Sequence, residues 1–169
     1  MRKRTLNVKL LVGLLVGAAV AVVALFFFHR SQVDRNADEL LEMAQEARAG
    51  DDYQGAIRLL RNYVALRPDD YPPYITLGET AVELAESPKA SRRDIFFAYQ
   101  VLETAVRKIP VEDADGQGRP EHIKARRLAA DFMTKIGKFG DAMNHLVFLL
   151  QYEIGDPELN LKAAKTARA

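Results

Sequence analysis

Residues 37–68, ADELLEMAQEARAGDDYQGAIRLLRNYVALRP, decide the fold. Leu40, Met43, Ala44 and Ala47 recur at three- and four-residue steps and share one helical face; Ala56, Ile57, Leu60, Tyr63, Val64 and Leu66 do the same after a break. The break is Gly50, Asp51 and Asp52. Its chemistry is that of a tight turn: glycine takes the left-handed backbone that closes one helix, and an aspartate side chain accepts from the free N–H groups that open the next. Pro68, which lacks an N–H, ends the second helix. The stretch reads as two short amphipathic helices folded back on each other. A hairpin of this size cannot bury its apolar face alone and requires stacked neighbours.

The neighbours follow. A small residue recurs 34 positions after Ala44 as Gly78, and Tyr74, Leu77, Gly78 and Ala81 copy the spacing of Leu40, Met43, Ala44 and Ala47. The second-helix pattern Ala56, Leu60, Pro68 returns as Ala98, Leu102, Pro110. A third copy has Arg126, Ala129, Ala130 and Met133, then Ala142 and Leu146, with its proline displaced to Pro157. On these residues the sequence resembles the tetratricopeptide repeat (TPR) family, whose helix-turn-helix period and residue pattern they follow. The resemblance covers residues 37 to about 157; no tryptophan stands at the family's first aromatic position, and the second and third units carry insertions.

The expected fold class is all-α, an N-terminal transmembrane helix followed by an α-solenoid of TPR-like repeats at 37–70, 71–112 and 121–154. Residues 158–169 are expected to form a capping helix or the start of a further repeat. Asp156, Pro157 and Glu158 make a strong helix start there. The weak apolar cover this last helix offers favours a longer parent protein.

The anchor expectation rests on residues 10–28, LLVGLLVGAAVAVVALFFF, which are 19 consecutive uncharged residues. As a helix they rise about 28 Å at about 1.5 Å per residue, close to a hydrocarbon core. Ala19-Val20-Ala21 has the form of a signal-peptide cleavage site, but cutting there would leave VVALFFF on the mature terminus. A retained anchor in contact with the lipid bilayer is therefore expected. Residues 1–9 are basic and 29–36 form a short charged linker, which by the positive-inside bias puts the N-terminus in the cytoplasm and the repeats outside it, in the periplasm. Gly13, Gly17 and Ala21 are spaced by four and form a stripe for a weak homodimer.

Composition narrows the function classes. Of the 169 residues, 49% are apolar and 28% charged, an ordinary globular mixture that excludes disorder. The net charge of +1 includes Arg2, Lys3, Arg4 and Lys9 ahead of the apolar run, so the remainder is net acidic and argues against nucleic acid. The absence of cysteine removes disulfides, thiolate metal sites and thiol nucleophiles. His29, His122 and His145 are scattered, and His145 falls off the stripe of Ala142, Leu146, Leu149 and Leu150, so no catalytic, cofactor or metal site is expected. Asp113, Asp115 and Gly116 have part of the spacing of a calcium loop, but Val111 and His122 stand where ligands are needed, and an acidic surface loop is the reading. Ser91 and Asp94 form a capping box after Pro88, and Arg92 and Arg93 read as a solvated helix start.

Stacked helix pairs curve, and the first helices of successive units line a groove suited to an extended peptide or a partner helix. The candidate partner-binding residues there are Gln45, Glu79, Glu83, Lys124, Arg127 and Asp131. The groove is acidic in the first two units through Asp38, Glu42, Glu79 and Glu83, and basic in the third through Lys124, Arg127 and Lys135. Family members that hold a partner's terminal carboxylate use a clamp of lysines, arginine and asparagines; the positions here are Leu41, Gln45, Thr76, Glu79, Lys124 and Leu128, so the resemblance does not extend to that clamp. The expected function is a membrane-tethered scaffold or adaptor for protein partners, with no chemistry of its own. The alternative is the non-catalytic anchor and interaction region of a larger enzyme or envelope transport machine.

Overall fold

A computed structural model describes residues 8–153 and 155–169, with no strand among them. They form seven helices: α1 (Val8–Ala49), α2 (Tyr53–Leu66), α3 (Pro72–Glu86), α4 (Arg92–Lys108), α5 (Pro120–Lys135), α6 (Phe139–Tyr152) and α7 (Pro157–Thr166). The chain divides into two units, Met1–Glu39 and Leu40–Ala169.

In the first unit the structure corrects the membrane expectation. Among the described residues no helix is long and apolar enough to cross a membrane. The apolar run is not a bounded segment: it is a minority of the 42 residues of α1, which continues without a break through Arg30, Asp34, Arg35, Asp38 and Glu39. Length and apolarity together are what a hydrocarbon core of about 30 Å demands. The single-pass placement of residues 10–28, with a cytoplasmic N-terminus and extracytoplasmic repeats, is therefore overturned. Residues 29–36, expected as a linker, are helical within α1. Residues 1–7 and the surroundings of Gly13 and His29 lie outside the described residues; Gly17 has open space where a Cβ would stand.

In the second unit each helix start has a local cause. Asp52 caps α2 by accepting from Gly55 N at 2.9 Å. Ser91 and Asp94 form a reciprocal capping box on α4, and Pro72, Pro120 and Pro157 open α3, α5 and α7, where a missing N–H costs nothing. The α1–α2 turn differs from expectation. Asp52 N bonds Ala47 O at 2.9 Å and Asp51 N bonds Arg48 O at 3.1 Å, a helix end that needs a left-handed residue at the second-last position. Asp51 takes it, with φ 60°, in place of Gly50. Helix α1 runs to Ala49, which puts Asp51 at the turning point, and a short polar side chain tolerates it. The α5–α6 turn repeats the motif with Gly137 at φ 78°.

Helix α3 packs on α2, α4 and α5; α4 packs on α5, α5 on α6, and α6 on α7. The first helices α3 and α5 thus adjoin directly. The main core gathers Ala44, Ile57, Leu60, Tyr74, Leu77, Ala81, Ala98, Leu102, Ala129 and Met133. Small residues permit the close approach: a Cβ on Gly78 would meet Leu102 Cδ2 at 3.0 Å and Leu128 Cδ2 at 3.3 Å. A second cluster joins Ala130, Leu146 and Leu149 to Leu159 of α7. Met43 and Leu66, read as parts of buried stripes, are exposed; Leu66 is the final residue of α2.

The 111–119 loop closes on itself. Asp113 Oδ1 accepts from Asp115 N at 3.0 Å and Gln117 N at 2.9 Å, and Glu112 pairs with Gly118 in an isolated bridge. Its carboxylate is thus committed to backbone donors. Arg119 at the end of the loop lays its guanidinium over the Tyr71 ring at 4.8 Å, tying this loop to the start of α3.

Candidate functional site

The first-helix face brings five of the six candidate residues into ion pairs. Arg48, which the sequence reading did not select, donates through Nε and Nη2 to Glu83 at 2.9 and 2.6 Å. Its Nη1 lies 3.4 Å from Glu79, whose other oxygen pairs with Lys124 Nζ at 3.1 Å. Glu79 therefore links α1, α3 and α5. The hydrogen bond that Arg48 donates to Glu83, ahead of the opposing effect of burial, raises the Arg48 pKa above its ordinary value. Lys135 of α5 pairs with Glu86 of α3 at 2.6 Å, and Lys162 of α7 with Asp131 of α5. Arg127 reaches Glu153 at 2.5 Å and Asp156 at 3.7 Å, and the Glu153 hydrogen bond raises its pKa. Gln45 is exposed and has no hydrogen bond among the described residues.

The face is thus a ladder of half-exposed charges used to hold successive first helices together. Each such pair contributes about 0.2–1 kcal/mol. A partner on this face meets charges already neutralised, with Leu41, Thr76 and Leu128 half-buried and Gln45 open between them.

A larger recess of about 710 Å3 at the α1–α2 and α3–α4 turns is lined by Asp51, Asp52, Glu83, Glu86, Asp94 and Lys89, among others. Its carboxylates are all engaged. Asp51 accepts from Tyr53 and Asp52 caps α2; Glu83 and Glu86 carry ion pairs and Asp94 caps α4. Among the described residues no three of His, Asp and Glu gather as a metal-ligand set.

One cluster escaped the sequence reading. His145, expected off the buried stripe, is buried, as is His122, and the fold brings the two together across Arg126. His122 Nδ1–H donates to Ile109 O at 2.8 Å, and its Nε2 accepts from Arg126 Nε at 2.8 Å. Arg126 Nη1 is 3.4 Å from His145 Nδ1, and His145 Nε2 is 3.1 Å from Glu103. The guanidinium sits 3.8 Å from the Phe148 ring centroid, and Tyr152 stacks on Phe148. Burial lowers the pKa of both histidines and of Arg126, and neutral rings suit the bonds they make. The cluster ties α4, α5 and α6 together. The i, i+4 spacing of His122 and Arg126 was the only signal available in the sequence.

Comparison with solved structures decides the architecture. The TPR domain of Arabidopsis OM64 superposes with a TM-score of 0.54 at 12% identity, covering 78% of this chain and 94% of that chain. The fold is TPR-like. No family model matches the sequence, and no curated protein does. In the TPR-like frame α3–α4 and α5–α6 are the second and third helix pairs, and α2 pairs with the end of α1 through the core shared by Ala44, Ile57 and Leu60.

Proposed function

We propose that this chain is a non-catalytic scaffold that binds a protein partner along the first-helix face. The observation that carries the reading is the ion-pair ladder: Arg48, Glu79, Glu83 and Lys124 fix three first helices relative to one another. A face held at fixed spacing binds at lower ordering cost than a mobile one. Gln45 supplies an uncommitted polar contact and Leu41 and Leu128 apolar ones, Thr76 lies between them with its hydroxyl on Pro72 O, and Glu79, Glu83, Lys124, Arg127 and Asp131 frame them. The TPR-like fold and the engagement of nearby carboxylates by helix caps and ion pairs support binding over catalysis.

Photo-crosslinking tests it. A benzophenone amino acid placed at Gln45, Thr76 or Leu128 is expected to give discrete protein adducts in cells, competed by excess unmodified chain. Adducts absent at all of these positions would sink the reading.

A further inference from the structure

The two faces of the stack use their charges differently. On α3, Leu77 and Glu79 are two residues apart, about 200° around a helix at about 100° per residue. Glu79 joins the ladder, so Leu77 points to the opposite side, toward α2 and α4. There α2 and α4 leave a cleft of about 430 Å3. Tyr74 and Leu77 form its floor, Val64, Phe97 and Val101 its walls, and Arg61 its rim. The floor is buried and the walls are half-buried, so apolar surface remains available.

This opening is not a general property of the stack. Between α4 and α6 the corresponding valley is bridged by Tyr99, which donates to Asp141 at 3.3 Å, and by the Glu103–His145 contact at 3.1 Å. No such bridge spans α2 and α4 among the described residues.

The one charged residue lining the cleft is Arg61. Helix α2 carries Arg58 and Arg61 and no acidic residue. Arg107 donates to Thr104 Oγ1 at 3.3 Å on the α4 edge of the cleft. Among the described residues none of these three arginines has a carboxylate partner, whereas Arg48, Lys124, Arg127, Lys135 and Lys162 all do. An apolar cleft lined by Arg61, with Arg58 and Arg107 on the same two helices and likewise without a carboxylate partner among the described residues, complements a large apolar side chain flanked by carboxylates, which arginine forks pair bidentately.

We propose that the α2–α4 cleft docks an acidic amphipathic helix of a protein partner. Its Leu- or Phe-sized anchor rests on Val64, Phe97 and Val101, and its carboxylates pair with Arg58, Arg61 and Arg107. The site is separate from the first-helix face, so the scaffold has a docking surface on each side.

Selection of a random-peptide display library on the full chain, followed by fluorescence anisotropy of the recovered peptides, tests this. Recovered peptides are expected to combine acidic residues with a large apolar anchor. Arg61→Glu and Thr104→Glu replace exposed side chains, keep the circular dichroism spectrum, and each weaken binding roughly tenfold or more, while Gln45→Arg on the other face leaves it unchanged. Recovery of basic peptides, of no acidic-apolar class, or of peptides that bind Arg61→Glu undiminished overturns the proposal. So does loss of binding in Gln45→Arg alone, which places the peptide on the first-helix face. Self-association in sedimentation that Arg61→Glu abolishes would make a second copy the occupant instead.

Discussion

Arg48 and Glu83, 35 residues apart in sequence, meet in a two-point hydrogen bond at 2.9 and 2.6 Å that joins α1 to α3. Two parallel N–H···O bonds fix orientation as well as distance, which a lysine in the same place does not.

Arg48→Lys is therefore expected to lose most of what Arg48→Ala loses. Because both side chains remain about one-third exposed, that loss is about 1 kcal/mol. Urea unfolding of both variants checks it, and the deficit is expected to shrink at high salt. A lysine variant as stable as the parent would show that charge alone matters.

Asp51 holds a left-handed backbone that Gly137 holds in the third unit. A left-handed conformation costs a side-chain-bearing residue about 1–2 kcal/mol, less for aspartate with a local bond, and Asp51 accepts from Tyr53 OH. Asp51→Gly is expected to raise stability by about 0.5 kcal/mol and Gly137→Ala to lower it by about 1 kcal/mol. Thermal unfolding of both, reported as opposite shifts in Tm, checks the pair.

The repeat was legible because burial on one side imposes helical periodicity. Ala56, Leu60, Ala98, Leu102, Ala142 and Leu146 are all buried as their spacing requires. The solvent side imposes no such rule, so Arg48 looked like any other exposed charge, and which candidates pair was not readable. His145 was misread because α6 is covered on more than one side: Leu146 packs in the core with Leu149, while its neighbour His145 meets Glu103 of α4. The buried arc is then wider than a single stripe. The membrane reading failed for a related reason, since the apolar composition of residues 10–28 does not reveal that the helix runs on through charged residues to Ala49.

The His122–Arg126–His145 cluster makes stability depend on pH in a defined direction. Both histidines are held below their ordinary pKa by burial first, and Arg126 adds repulsion; Glu103 and Asp141 oppose it at His145. The unfolded chain takes up protons as pH falls through about 6.5, and the folded one does so later. The stabilisation is therefore complete above about pH 6.5 and is lost as pH falls below it. In His145→Gln the amide keeps a donor for Glu103 but does not titrate. Urea midpoints between about pH 7 and about pH 5 are expected to fall less in this variant than in the parent. Equal slopes would remove His145 from the account.

Helix α7 is short, and Leu159 is its largest buried side chain, with Ala163 packed beside it. Leu159 is 3% exposed and packs with Ala130, Leu146 and Leu149, while Lys162 pairs with Asp131 on the same flank. The apolar contact is buried and the ion pair is exposed, so the first dominates. Leu159→Ala is expected to cost about 2–3 kcal/mol, and Lys162→Ala less than about 0.5 kcal/mol. Hydrogen exchange separates a local from a global effect. If α7 only covers the third unit, Leu159→Ala speeds exchange in α6 and α7 and leaves α3 and α4 protected; a uniform loss across α3 to α6 would instead make α7 part of one cooperative stack.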